Sequence, residues 1–262
     1  MRSYAIAAAA SVLLASVLGL VAPPVGAITY GSPDGNLHPN VGALVGAFPE
    51  GTFPYCSGTL IAPNVYLTAA HCDISAETGT AEVFVTFDPV FTPSSELHRG
   101  MFIPHARFSK RQNDPHDIAV VIFDLAVPDL DPARLPSRGQ LDSLPKKQKF
   151  TSVGYGGQER VHEGPGAPVI GFLDIREFSV GTLNAINPSW LRISQNPAKG
   201  DGGTCFGDSG GPNFLGAGAE ETDIIAAITI TGDSVCRATN VDYRLDTDAA
   251  REFLATFVPL PD

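Results

Sequence analysis

A chain of 262 residues with 27 glycines, 22 prolines, 44% hydrophobic and 17% charged residues is long enough for one large or two ordinary domains. It is too turn-rich for a helical bundle and too apolar for a disordered chain. A formal net charge of -11 argues against nucleic acid or an anionic membrane surface as a partner.

The first 27 residues read as a secretory signal peptide. Arg2 gives a positive start and residues 5–22 are uncharged and rich in Ala, Leu and Val. Pro23 and Pro24 then stop any helix, and Val25-Gly-Ala27 is a small-residue cleavage site. An uncleaved anchor is the alternative, at the short limit for a span. Cleavage would leave Ile28 first, in a secreted, extracellular protein with no membrane attachment. No later run is apolar enough to cross a bilayer.

From Ile28 to Asn40 the chain is turn-rich. Short apolar runs then predict strands over 41–48, 56–62, 65–71, 83–87, 101–108 and 118–125, separated by Gly, Pro, Asn and Asp. The continuous run 118–123 suits a strand buried on both faces. Residues 126–148 are proline-rich and charged and are the best linker candidate. A second series follows over 150–155, 169–175, 178–183, 190–194, 213–215, 224–230 and 239–245. About six strands on each side of a linker predict an all-β protein of two barrels or sandwiches. The expected division is 28–135 and 136–262. Near the end, Ala249, Phe253, Leu254 and Phe257 recur at helical spacing, with Asp246 or Asp248 as cap and Pro259 and Pro261 as stop. No internal sequence repeat is visible.

Four cysteines, Cys56, Cys72, Cys205 and Cys236, imply two disulfides in a secreted protein, with three connectivities open. The close spacings, 16 and 31 residues, favour Cys56–Cys72 and Cys205–Cys236. No C-x-x-C or H-x-x-x-H spacing supports zinc, and no metal or cofactor is expected.

The stretch Cys205-Phe-Gly-Asp-Ser-Gly-Gly-Pro212 suits neither helix nor strand. Such a glycine-rich turn can aim the N–H groups of Gly207 and Ser209 at one point, the geometry of an oxyanion hole. A serine hydroxyl is a weak nucleophile and needs a base and an orienting group. Of His38, His71, His98, His105, His116 and His162, His71 stands out. It ends an apolar strand beside a cysteine, with small Ala69 and Ala70 leaving room around its ring. Asp117 opens the buried run, where a charge demands a partner such as an imidazole N–H. Asp114 and Asp124 read as solvated turn residues.

Thr68-Ala-Ala-His-Cys72, Asp117-Ile-Ala-Val120 and Gly207-Asp-Ser-Gly-Gly-Pro212 resemble the three signatures of the chymotrypsin/trypsin-like serine peptidases, in the family's order and separated by 46 and then 92 residues. The Gly154-Tyr-Gly156 turn and the terminal helix are similar to family features too, and the chain looks most like secreted bacterial members. The resemblance implies two six-stranded antiparallel β-barrels with the active site between them. It also implies a monomer that cuts protein or peptide substrates by a Ser-His-Asp mechanism. Ser209 would be the nucleophile, His71 the general base, Asp117 its orienting carboxylate, and the Gly207 and Ser209 N–H groups the oxyanion hole. Asp208 would pair with the α-amine of Ile28. A paired amine contributes below its unfolded pKa of about 7.7–8.0 and fades as pH rises through the folded value, so activity is expected to decline in alkali.

The family sets specificity at the residue six before the nucleophile, here Gly203, followed by Thr204. A neutral base favours an apolar or aromatic residue before the scissile bond over Lys/Arg. Asp201 and Asp242 keep the basic reading open. Gly232 resembles the glycine along which substrate backbone pairs, and Thr229 or Thr231 stands where the family supports its aspartate with serine. A catalytically inactive binding or regulatory protein on the same fold is the alternative. An α/β esterase is excluded by order, because no histidine follows Ser209.

Overall fold

Apolar runs of the first half become six strands, β1 (Val41–Phe48), β2 (Gly51–Ala62), β3 (Val65–Thr68), β4 (Glu82–Thr86), β5 (His98–Pro104) and β6 (Ala119–Phe123). The computed structural model describes residues 28–111, 113–158, 160–161 and 169–262. The expected signal peptide and His162 lie outside the described residues. The strands form a closed antiparallel barrel in the order β1-β2-β3-β6-β5-β4, and β1 pairs β4 through Leu44 and Val85. β6 sits between β3 and β5, which accounts for its continuous apolar run: Ala119, Val120 and Val121 are fully buried.

The second half supplies β7 (Lys149–Gly154), β8 (Glu177–Ile186), β9 (Trp190–Ser194), β10 (Pro212–Leu215), β11 (Ile225–Gly232) and β12 (Thr239–Arg244). Their order is β7-β8-β9-β12-β11-β10, closed by β10 pairing β7. That is the order of the first barrel again, although the sequence carries no repeat. Two closed six-stranded antiparallel barrels are therefore the architecture. Ser32–Pro33 adds a short edge to β8.

Three local expectations change. The run 169–175 gives only Val169–Ile170, paired with Arg160–Val161, and stays outside the barrel. Residues 126–148 are a fastened crossing instead of a loose linker. Val127, Ala133, Leu135 and Leu141 are buried, and Arg134 bridges to Ile224. The helix Asp248–Leu254 is capped by Thr247, whose side chain accepts from Ala250 N. Asp246 cannot serve as cap because it accepts from Leu141 N and from Arg244.

One apolar cluster runs from the first barrel through Val153, Phe214, Ile228 and Tyr243 to Ala250, Leu254 and Val258. The second barrel holds its own, with Leu141, Phe150, Leu191 and Ile193. Between the barrels lies a charged fastening. Arg176 is almost fully buried and donates to Asp34 Oδ2 and to the carbonyls of Val41 and Phe87. Beside it, His38 has Asp34 at Nδ1 and Glu221 at Nε2. Burial opposes its charge, but the two carboxylates outweigh that and raise its pKa to about 9.

Candidate active site

The pairing of β3 with β6 brings two of the expected residues together. Thr68 lies opposite Ala119, so the turn that follows β3 and the residues that precede β6 meet at one end of the barrel. His71 sits in the 3-10 turn Ala70–Cys72, tied down by the Cys56–Cys72 disulfide. Asp117 is buried. Its Oδ1 accepts from His71 N at 2.9 Å, and its Oδ2 lies 2.8 Å from His71 Nδ1. A buried carboxylate there holds the proton on Nδ1 and leaves Nε2 as acceptor. Nε2 is 2.7 Å from Ser209 Oγ.

Ser209 belongs to the second barrel, in the loop before β10, which the Cys205–Cys236 disulfide anchors. Gly207 and Gly210 have φ of 96° and 81°, a region open chiefly to glycine. The Phe206 carbonyl accepts from Gly157 N at 2.7 Å. Across that trans peptide the Gly207 N–H points the opposite way. The N–H groups of Gly207 and Ser209 have no acceptor among the described residues.

The loop hangs on the first barrel through Ser57, which no local signal in the sequence marks. Ser57 N donates to the Ser209 carbonyl at 2.8 Å, and Ser57 Oγ donates to the Gly207 carbonyl at 3.0 Å. Thr68 Oγ1 in turn donates to the Ser57 carbonyl. The two sulfurs beside His71 are bonded to each other, so Cys56, Cys72 and His71 do not form a thiolate metal site.

Ile28 N, a peptide N–H in the 262-residue chain, and Asp208 make no hydrogen bond with each other among the described residues. Ile28 is fully buried, but its nitrogen donates to Glu177 Oε2 at 3.0 Å. Asp208 instead accepts from Cys205 N and Gly156 N, both at 2.8 Å. Burial, with Glu177 adding to it, raises the Asp208 pKa to about 7 against the pull of those two N–H groups. Glu177 opens β8 opposite Gly154. Its place beside Ile28, 149 residues away, is a long-range contact with no sequence signal.

Beside His71 and Ser209 opens a cavity of about 280 Å³, lined by Thr204, Phe206, Ile230, Gly232, Asp233 and Cys236 among others. Thr204 and Gly232, expected at a specificity pocket, are among these lining residues. Gly203 is not among the lining residues. It pairs with Thr29, and a Cβ there would run into the Gln195 side chain. The two acids weighed for a basic preference are elsewhere. Asp201 binds Lys149 and Thr182. Asp242 is fully buried, and burial raises its pKa well above the carboxylate range despite bonds from Thr229 and Asn213. Thr229 Oγ1 thus faces Asn213 and Asp242. The carboxylate that does line the cavity is Asp233, and it accepts from Gln195 Nε2 and the N–H groups of Arg237, Ala238 and Thr239. Asp114, read as solvated, accepts from Tyr243 Oη at 3.0 Å.

Comparison with known proteins bears on the family and the fold. A sequence model of the trypsin family matches residues 44–250. Mouse (Mus musculus) serine protease 56 is 28% identical over 192 residues, which is 70% of this chain and 31% of that protein. The chain thus spans about a third of that relative's length. A solved structure of HL collagenase superposes with a TM-score of 0.65 at 18% identity, covering 86% of this chain and 96% of that one. At that identity the likeness is one of fold.

Proposed function

Since the chain belongs to the trypsin family, we propose that it is a secreted serine endopeptidase with Ser209 as nucleophile, His71 as general base and Asp117 as orienting carboxylate. The observation that carries this reading is the unbroken chain of contacts from Asp117 Oδ2 through His71 to Ser209 Oγ, at 2.8 and 2.7 Å.

Ser209 Oγ attacks the scissile carbonyl as its proton passes to His71 Nε2. Asp117 stabilises the imidazolium by its bond at Nδ1. The negative charge on the former carbonyl oxygen meets the Gly207 and Ser209 N–H groups, each such donor being worth about 3–4 kcal/mol of barrier. His71 then gives its proton to the leaving amine, and the acyl-enzyme forms. Water repeats the sequence in reverse, so Ser209 regains its proton and the acid is released.

The residue before the scissile bond is apolar or aromatic. Phe206 and Ile230 line its cavity, and the charge of Asp233 is taken up by four N–H donors. The barrels divide as 28–135 and 136–262, and signal removal makes Ile28 the first residue.

Fluorophosphonate labelling of the secreted protein, read by intact mass with Ser209→Ala as control, tests the reading. One label per chain, lost in the variant, is expected. A folded protein that starts at Ile28 and takes no label would overturn it and leave a binding protein on this fold.

A further inference from the structure

A second cavity, of about 410 Å³, adjoins the first and shares Lys110, Ile230 and Thr231 with it. Pro115, Trp190, Ile230 and Val241 give it apolar walls, and Lys110 and Arg192 line it as well. In a chain with 28 acidic and 17 basic residues, most cations near an acid are paired. Arg99, Arg134, Arg138, Lys149, Arg176 and Arg244 all hold carboxylates. Lys110 and Arg192 hold none among the described residues. Trp190 adds an aromatic wall, with its Nε1 buried away from the hollow. The carboxylate in the lining, Asp117, is committed to His71. Two cations therefore share one apolar hollow whose lining offers no free carboxylate to balance them.

The strand edge beside the hollow is open. β10 pairs β11 only as far as Pro212 opposite Ile228, whereas β12 continues to Asn240 opposite Gly232. Residues 230–232 thus present one unpaired edge to the cleft, where an extended peptide can add. A strand advances about 3.3 Å per residue. A chain with one side chain in the first cavity reaches the second within two or three further residues.

We propose that this second cavity is a specificity site for an acidic side chain, the third or fourth residue before the scissile bond. The inference rests on the catalytic reading above and adds a substrate class to it: peptides with Asp or Glu upstream of an apolar residue. The carboxylate accepts from Lys110 and Arg192, while its methylenes lie on the apolar wall that includes Trp190.

Two readouts test it, and they fail separately from the catalytic reading. Coumarin-amide substrates Glu-Ala-Ala-Phe and Gln-Ala-Ala-Phe, with Ala-Glu-Ala-Phe and Ala-Gln-Ala-Phe, report kcat/KM. Glu is expected to exceed Gln by about five- to tenfold at one of the two positions, the size two partly solvated charge pairs support. The ratio should shrink between about 0.05 and 0.5 M salt. In Lys110→Ala/Arg192→Ala it should fall towards one. The second readout needs no turnover. Trp190 is the only tryptophan, so its emission in Ser209→Ala should respond to the unlabelled Glu peptides at lower concentration than to the Gln peptides. A Glu/Gln ratio near one in both readouts overturns the proposal, as does a preference that survives the double substitution. Loss of turnover with the fluorescence difference intact overturns only the catalytic reading.

Discussion

Gly210→Ala isolates what the nucleophile loop demands of its backbone. Gly210 has φ of 81°, and an added Cβ would press on Thr68 Oγ1 and lie 2.5 Å from the Ser57 carbonyl oxygen and 2.7 Å from Ala69 N. The left-handed conformation accounts for about 1–2 kcal/mol in a non-glycine residue. Overpacking against backbone adds about 1–3 kcal/mol. The two together predict a loss of about 2–5 kcal/mol. Gly35 separates them, because it has φ of 58° and nothing within 4 Å of its Cβ position, so Gly35→Ala carries the conformational part alone. Thr68→Ala should rescue Gly210→Ala only weakly, since the two backbone contacts remain. Urea unfolding followed by Trp190 emission gives the stabilities, and the rate of fluorophosphonate labelling reports Ser209. A shift of the nucleophile by about 1 Å is worth roughly a hundredfold in rate, so labelling should slow by at least that. Gly210→Ala as stable as Gly35→Ala, or labelled at the wild-type rate, would refute the reasoning.

Three further outcomes are expected. His38, with a folded pKa of about 9, contributes stability that is full below its unfolded value near 6.5 and lost as pH rises through 9. The loss is at most about 3 kcal/mol, and urea midpoints at pH 6 and pH 10 should show it in the wild type and not in His38→Gln. Asp208 acts in the same direction at lower pH. With a carboxyl pKa raised to about 7, the folded state holds a proton the unfolded state has released, so stability should fall from about pH 4 to pH 7. Asp208→Asn should remove that fall, and so should a free ammonium at Ile28, which the Ile28-starting protein can be compared for against one that retains residue 27. Gly203→Asp should not confer cleavage after Lys or Arg, because its side chain meets Gln195 before it reaches the cavity. A measured Lys/Arg preference in that variant would show that Gln195 yields.

The fold was legible because its signals are local. Period and punctuation mark β1, β3, β6 and β9 to within a few residues, and the run 118–123 announces a central strand. The closure of each barrel, β1 on β4 and β10 on β7, comes from pairing that no short window contains. The site divides the same way. His71, Asp117 and Ser209 stand in short recognisable stretches, and the structure brings them within hydrogen-bond distance. Glu177 beside Ile28, Asp233 beside Gln195 and Ser57 under the nucleophile loop depend on partners 38 to 150 residues away. Two apparent acids of the cavity, Asp201 and Asp242, turned out to face Lys149 and Asn213 instead. The choice of cap at Thr247 over Asp246 was decided by Arg244, two residues before Asp246.

Ser57 has a consequence beyond anchoring. His71 and Asp117 ride on one barrel and Ser209 on the other, and the nucleophile loop itself is tied across by two hydrogen bonds from that single residue, at 2.8 and 3.0 Å. On the proposed reading, the output of the molecule is a gauge of alignment across this seam. Two intact barrels displaced by an ångström would keep their strands and disulfides and still be silent. Gentle stress should therefore extinguish labelling of Ser209 before it melts any sheet, and the seam should tolerate substitution as poorly as the residues that do the chemistry.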